Sequence, residues 1–378
     1  MRILFVISEL PPTRSGVARI GAQLVSGYRD AGHQVEVLER REVGSLTLGE
    51  ARLSGLALRW PKVARRLEPC DLVHLHGPAP TFADAFLASY ALRRRRPPLL
   101  YSHNFELHFP GPLAPLGRLY ELLTLRLALR VARRIVVSTE QFRARLPDPG
   151  RVVVVPWGCD HRPGPIAQQH EEAGSRADDE PNAREGTALR VLFVGQMRPY
   201  KGVPVLLDAL WDLPGVEAKL AGDGRRLDAY RRRLARRKPQ GGASIELLGS
   251  VDDARLDQLY GWADVVVLPS VSRQEAFGLV LLEGMRHGCV PVASRLPGVA
   301  EVVGDAGVLV EPGDAAGLRA ALAALRDDSA RRAELAARAA RRVSERTWER
   351  SVARHLELIH EILEEAGLAR AAAEASHA

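Results

Sequence analysis

Short β-branched runs alternate with longer amphipathic segments through nearly the whole chain, in two series separated by one long break. That alternation predicts βα units laid on a parallel sheet, because each strand is covered by the helix that follows it. The strand candidates of the first series are "RILFVIS", "QVEVLE", "DLVHLH", "PLLYSH", "RIVVST" and "RVVVVPWG"; those of the second are "LRVLFVGQ", "GVEAKLAG", "SIELLG", "DVVVLPS", "VPVAS" and "GVLVEPG". From about His161 to Thr187 the periodicity stops, and "QQHEEAGSRADDEPNAREGT" is polar, charged and rich in chain breakers, which predicts a linker or loop. Helical patterns in "LRAALAALRDD", "ARRAELAARAARRVSE" and "TWERSVARHLELIHEIL" close the chain, and the tail "EEAGLARAAAEASHA" is expected to fray. In the last helix the apolar residues Trp348, Val352, Leu356, Ile359 and Leu363 form the expected buried stripe.

Two series in 378 residues favour two α/β domains, each large enough for its own core, and two lobes imply a cleft. In sheets of this kind ligands bind beyond the carboxyl ends of the strands, so the polar residues there are the ones to watch: Ser8, Glu9, His74, His76, His103 and Ser138. No apolar run reaches transmembrane length, and the apolar core of the N-terminal stretch, "ILFVI", is followed by no small-residue cleavage site and reads as a first strand. Three cysteines without CxxC spacing indicate neither a disulfide framework nor a zinc site, and a reducing cytoplasm is the simplest setting.

The net charge of +7 suits an anionic partner. Nucleic acid is the least supported, since the basic residues are scattered along helices without interleaved aromatics. Arginine is used almost everywhere, and lysine stands only at Lys62, Lys201, Lys219 and Lys238. A lysine kept in "RPYKG" fits a compact point charge against phosphate.

The stretch "QEAFGLVLLEGMRHGCVPVAS" places Glu275 just before an apolar run and Glu283 inside it. On an isolated helix Glu283, Arg286 and His287, at i, i+3 and i+4, form one solvated ion-paired face. The flanks offer a second reading: "DVVVLPS" is a strand, "VSRQEAFG" a loop at its carboxyl end, and "LVLLEGM" the start of a helix. Backbone N–H groups around Ala276, Phe277, Gly278 and Leu279 then lie at a helix N-terminus, where a diphosphate is favoured. Glu275 faces whatever lies beyond the phosphates, and Glu283 is placed to accept from a ribose hydroxyl pair.

The Glu-x7-Glu spacing in "PSVSRQEAFGLVLLEGMRHGCVPVAS", followed by "LPGVAEVVGDAGVLVEPGD", resembles the donor-site signature of family 4 glycosyltransferases of the GT-B fold. The resemblance covers most of the chain: "SGVAR" looks like the family's glycine loop, "DLVHLHGP" and "YSHNFE" like its first-domain cleft segments, "VVPWGCD" like the stretch before the linker, and "GQMRPYKG" like the basic loop opening the second domain. It implies two Rossmann-like domains facing a central cleft, with the terminal helix crossing back. The implied boundaries are an acceptor domain over 1–163 completed by the helix 347–365, a linker over 164–188, a donor domain over 189–346 and a frayed tail over 366–378.

The resemblance further implies a retaining transferase whose donor is a nucleotide-diphospho-sugar and which needs no cofactor. Glu283 would bind the ribose, Glu275 with the backbone of Ala276 to Leu279 would meet the sugar and phosphates, and Arg198 with Lys201 would neutralise the leaving diphosphate. Gly16 would let the first-domain backbone approach the donor, and His103 would touch the donor sugar; its plainer reading is a hydrogen-bonded histidine at a strand end. Two positions depart from the family's pattern: Gln196 stands where arginine is common, so that Arg198 substitutes by proximity, and the glycine loop reads Ser-Gly where a double glycine is common. Glu275 is expected to position the sugar while the acceptor attacks on the face that the diphosphate leaves. No Asp-x-Asp pair occurs anywhere in the sequence, so the positive charge must come from Arg198, Lys201 and the helix start, and metal-independence is expected.

A dinucleotide-dependent dehydrogenase needs G-x-G-x-x-G after its first strand, where this chain has "ELPPTRSGVAR", and a P-loop enzyme needs GxxxxGK[ST], which does not occur. A sugar-nucleotide epimerase or phosphorylase of the same fold, and a non-catalytic sugar-nucleotide-binding subunit, remain as alternatives. The acceptor is left open among sugars, lipid-linked species and small molecules. "RLSGLALRWPKVARRL", Arg52 to Leu67, reads either as a basic amphipathic helix for peripheral contact with the inner face of the plasma membrane or as an ordinary surface helix packed on the sheet.

Overall fold

The computed structural model describes residues 1–48, 51–106, 114–146, 149–159, 188–236 and 241–375. The linker expected over 164–188 lies, save for its last residue, outside the described residues. The chain divides into two compact units: Met1–Trp157 together with the chain from Trp348, and Gly158–Thr347.

The first unit carries the strands β1 (Arg2–Ile7), β2 (Gln34–Glu39), β5 (Leu72–Gly77), β6 (Leu99–His103), β7 (Arg134–Val137) and β8 (Val152–Val154), all parallel, in the order β2-β1-β5-β6-β7-β8. β5 and β6 are buried over their whole length, the expected state of inner parallel strands covered on both faces. Around the sheet lie α1 (Gly16–Asp30), α2 (Leu56–Arg66), α3 (Ala83–Ala91), α4 (Ala114–Val131) and the short α5 (Glu140–Arg143). A small antiparallel hairpin of β3 (Ser45–Leu48) and β4 (Ala51–Ser54), not anticipated from periodicity, precedes α2. Arg52 therefore stands in a strand, and the expected helix starts only at Leu56. The α2 side chains Leu56 and Val63 are buried and Trp60 meets Phe86 edge-on at 5.5 Å, so its apolar face belongs to the core. Its Arg66 is tied to Glu36 and Glu42. This segment is thus packed on the core through Leu56, Trp60 and Val63, while Leu58 stands in solvent at 90% exposure.

In the second unit β9 (Leu189–Val194), β10 (Val216–Ala221), β11 (Ser244–Gly249), β12 (Val265–Leu268), β13 (Val290–Ser294) and β14 (Val308–Val310) form a second parallel sheet, in the order β11-β10-β9-β12-β13-β14. Its helices are α6 (Val203–Leu210), α7 (Leu227–Arg236), α8 (Asp253–Trp262), α9 (Leu279–Arg286), α10 (Pro297–Val303), α11 (Ala315–Asp327) and α12 (Ser329–Ser344). In each sheet the strand order reverses beside the first strand, β1 or β9, and two neighbouring loops open at the carboxyl edge there. Such a switch point is where open α/β sheets hold ligands.

The last helix, α13 (Trp348–Ala375), belongs to the first unit, as the resemblance implied, and packs on α1. Gly27 makes the approach possible, because a Cβ there would lie 2.5 Å from Cγ1 of Val352. The buried face differs from the apolar stripe: Trp348, Ser351, His355, Leu358, Ile359 and Ile362 are buried, while Leu356 and Leu363 are half-buried. His355 takes a core position because its Nδ1 bonds the Ser351 carbonyl at 2.7 Å and its ring stacks on Trp157 at 5.6 Å. The tail expected to fray over 366–378 instead continues as helix to Ala375.

Candidate active site

The site begins with the two loops at the switch point of the second sheet. After β9 the chain runs through Gly195 and Arg198 into a short 3-10 turn, Pro199–Lys201, and then Gly202, from which α6 starts. After β12 it runs from Pro269 to Gly278, from which α9 starts. Since β9 and β12 are paired in the sheet, these loops are neighbours although some seventy residues separate them. They are locked together by backbone. Val271 N–H donates to the Tyr200 carbonyl at 2.7 Å, and Gly202, at φ +68°, sits so close to Pro269 that a Cβ would fall 1.8 Å from its carbonyl oxygen. Only a residue without Cβ fits there.

The lock sets Lys201 against Glu275. Nζ lies 2.5 Å from Oε2, both side chains are largely buried at 14% and 11% exposure, and the Ser270 hydroxyl donates to the same oxygen at 3.2 Å. Burial opposes the charge on Lys201, but the Glu275 carboxylate, with the Tyr200 hydroxyl group and the hydrogen bond, outweighs it and leaves the ammonium pKa raised. Arg198 is exposed on the same loop and pushes the other way, as a like charge must. Both hydrogen bonds fall on Oε2, and among the described residues Oε1 has none.

Leu279 opens α9, and Gly278 offers it no side-chain cap; α6, starting at Gly202, has none either. By contrast α8, α11 and α12 are each capped by an aspartate, Asp252, Asp314 and Asp328. The two uncapped starts at the switch point thus keep N–H groups and positive dipole ends for an anion. Phe277 is buried, with the Arg346 guanidinium 6.0 Å from its ring centroid.

One turn into α9, Glu283 accepts from the Tyr260 hydroxyl at 2.7 Å, and its carbonyl meets His287 Nδ1 at 2.8 Å. His287 is buried, stacks on Tyr260 at 5.4 Å and reaches Asp257 through Nε2 at 2.8 Å; Arg286 meets the same carboxylate at 3.4 Å. The face expected from spacing alone to be solvated is therefore half core. Tyr260 and Asp257 on α8 escaped sequence reasoning because each meets a partner more than twenty residues along the chain, and Ser270 because the loop that folds it back onto Glu275 has no period.

Gly16 and His103 belong to the first unit. Gly16 is the first residue of α1, whose cap Ser15 accepts from the Ala18 amide at 3.1 Å and donates to Glu9 at 2.7 Å. His103 ends β6, level with Gly77 of β5, so it stands at the same carboxyl edge as the loop leading to Gly16. It is buried, stacks on Phe142 at 5.2 Å and lies 3.8 Å from Glu121; burial pushes its pKa down to about 4, so the imidazole is neutral at ordinary pH, and Nδ1 has no hydrogen-bond partner among the described residues. His74 and His76 prove to be core residues: His74 bonds Tyr28 at 3.1 Å and Ser102 at 2.8 Å, and His76 meets Asn104 at 3.3 Å.

A family model described as Glycosyltransferase Family 4 matches residues 14–162, and one described as Glycosyl transferases group 1 matches 188–328, so that the two together span both sheets. The chain belongs to glycosyltransferase family 4. Among relatives in the family, a D-inositol 3-phosphate glycosyltransferase of Catenulispora acidiphila is 32% identical over 244 residues, 59% of this chain and 54% of that protein. A phosphatidyl-myo-inositol mannosyltransferase of Mycolicibacterium smegmatis is 38% identical over 172 residues, 44% of this chain and 42% of that protein. The chain thus spans about half the length of the curated relatives it matches. Solved structures share the fold over nearly the full length. They include a sucrose-phosphate synthase of Thermosynechococcus elongatus, at a TM-score of 0.73 and 19% identity over 96% of this chain and 99% of that one. Anabaena HepE in complex with UDP-glucose gives 0.68 and 21% over 94% and 99%. The fold is therefore GT-B.

Proposed function

We propose that the chain moves a sugar from a nucleotide-diphospho-sugar to an acceptor hydroxyl, with retention at the anomeric carbon and without a metal ion. The observation that carries this reading is the Lys201–Glu275 pair, held between two uncapped helix starts. A diphosphate at those starts would accept from the N–H groups of Ala276 to Leu279 and be neutralised by Lys201 and Arg198. Glu283, oriented by Tyr260, would take the ribose hydroxyls. Glu275 would offer Oε1 to a sugar hydroxyl. From the first unit, His103 would give the sugar a neutral hydrogen-bond partner and Gly16 a bare stretch of backbone.

In the step itself the bond from the anomeric carbon to the diphosphate oxygen breaks with its electron pair staying on that oxygen. The acceptor oxygen bonds the same carbon on the same face and passes its proton to the departing phosphate. Charge accumulates on the diphosphate as the bond lengthens, so Lys201, Arg198 and the helix starts stabilise the transition state more than the bound donor. The sugar, whose charge is of the opposite sign, is steadied by the carboxylate of Glu275.

The acceptor class favoured is a hydroxyl of a polyol, sugar or lipid headgroup on the cytoplasmic side, in envelope polysaccharide, lipopolysaccharide or glycolipid synthesis. The names of the two inositol-directed relatives support it. A panel of UDP-, GDP- and ADP-sugars in EDTA tests the proposal: one donor should raise the melting temperature, and its sugar should move only when an acceptor is added. Release of an epimer or of a sugar phosphate without acceptor would replace transfer by one of the alternative reactions of this fold, and no donor binding at all would refute it.

A further inference from the structure

Arg346 stands in the turn between α12 and α13, where its carbonyl accepts from the Cys159 N–H at 3.0 Å, so its backbone is fixed. Its guanidinium is half-buried, lies over the ring of Phe277 at 6.0 Å and has no ion pair with another described residue. Nη2 reaches the Glu301 carbonyl only at 3.5 Å, and Nη1 is buried with no hydrogen-bond partner among the described residues. The carbonyls at the end of α10 are already served by Arg342, four residues earlier. Its Nε donates to Val302 at 2.8 Å and its Nη2 to Glu301 at 2.6 Å. Closing α10 therefore does not account for Arg346.

A guanidinium held out of water without a carboxylate is costly, because nothing offsets its lost hydration. Burial first, and then Arg342, lower its pKa against the pull of Glu301 and Glu345, yet a guanidinium keeps its proton. Arginines on the neighbouring helices do find carboxylates, as in Arg338–Glu334 of α12 and Arg354–Glu357 of α13. The place of Arg346 says what its charge is for. Phe277 stands between Glu275 and the start of α9, in the loop whose N–H groups run from Ala276 to Leu279 and whose helix has no side-chain cap. A cation behind that loop raises the potential where an anion would sit, and salt screens a half-buried charge only weakly.

We infer that Arg346 is a positioning residue for the diphosphate: acting across Phe277, it adds a third positive charge to those of Lys201 and Arg198, and the bound anion is the counter-charge that the chain itself withholds. The inference rests on the site reading proposed above and extends it to a residue some seventy positions beyond the loop. Because the effect is one of charge, a diphosphate gains from it and an uncharged nucleoside does not.

Calorimetric binding of inorganic pyrophosphate to the full chain tests it, with UDP, GDP and ADP run beside their nucleosides. Arg346→Met should weaken binding of pyrophosphate, and of the nucleoside diphosphate that binds, by about tenfold. The matching nucleoside should bind as before, and Arg346→Lys, which keeps the charge, should stay close to the wild type. Should Arg346→Met fail to fold, Arg346→Gln, neutral but still able to donate to the Glu301 carbonyl, gives the same reading. Equal losses in the lysine variant and the neutral one, or pyrophosphate bound by the neutral variant as tightly as by the wild type, overturn the inference. Weaker binding in Lys201→Ala with none in Arg346→Met would overturn this role alone. A wild type that binds neither pyrophosphate nor any nucleoside diphosphate would overturn the proposed function with it.

Discussion

Gly202→Ala puts the lock between the two loops to a direct test. The substitution has three costs. A side chain at φ +68° costs about 1–2 kcal/mol. The new Cβ would begin 1.8 Å from the Pro269 carbonyl oxygen, and since backbone has to give way, overpacking of about 1–3 kcal/mol follows. Separation of the loops would also stretch the 2.7 Å hydrogen bond from Val271 to Tyr200, worth about 1 kcal/mol. Together these predict a loss of about 3–6 kcal/mol, or roughly 10–15 °C in the melting temperature of a unit this size. Gly241→Ala serves as control: its φ is +74° but nothing lies within 4 Å of a Cβ, so only the conformational cost applies. Lys201 precedes Gly202, and a displacement of about 1 Å at its ammonium should lower transfer about a hundredfold, measured well below both melting points. Equal melting temperatures for the two variants would refute the clash. A lower melting temperature with undiminished transfer would show that the loop does not position the chemistry.

Two further outcomes follow. His74, His76, His103 and His355 are buried and their pKa values lowered by burial, to about 3 for His76 and about 4 for His103 and His355, so between the ordinary value of 6.5 and those values the unfolded chain binds protons that the native chain does not. Stability should be level above about pH 6.5 and fall below it, by about 1.4 kcal/mol per pH unit for each histidine; His355→Gln should reduce the slope by one proton, and a melting temperature unchanged down to about pH 5 would contradict this. Tyr260→Phe removes the hydroxyl that holds Glu283 and should raise the donor KM several-fold, by about 1 kcal/mol, with kcat nearly unchanged; an unchanged KM would deny Glu283 its place at the donor.

Every parallel strand of both sheets was legible in the sequence, because inner strands such as β5 and β12 read as apolar runs and the edge strands β2 and β11 as alternation, whatever lies beside them. Hidden from it was what lies beside them. Lys201 and Glu275 were both assigned to the site, yet their ion pair depends on β9 lying next to β12, which no local period encodes. Tyr260 escaped for the same reason. Apolarity also misled on α13, whose buried face takes Ser351 and His355, the latter bonded through Nδ1 to the Ser351 carbonyl, while Leu356 and Leu363 of the apolar stripe are only half-buried. Leu116, Leu119 and Leu123, exposed on α4, passed unnoticed because leucine in a helical pattern reads as core until the packing is known.

The central claim, that Lys201 stabilises the departing diphosphate, is tested most directly by kcat and KM of Lys201→Ala with the matched donor and acceptor. Removal of one such positive group costs about 3 kcal/mol in the transition state, so kcat should fall about a hundredfold while the donor KM changes little. A kcat near that of the wild type, in a variant that still melts as a folded protein, would contradict it.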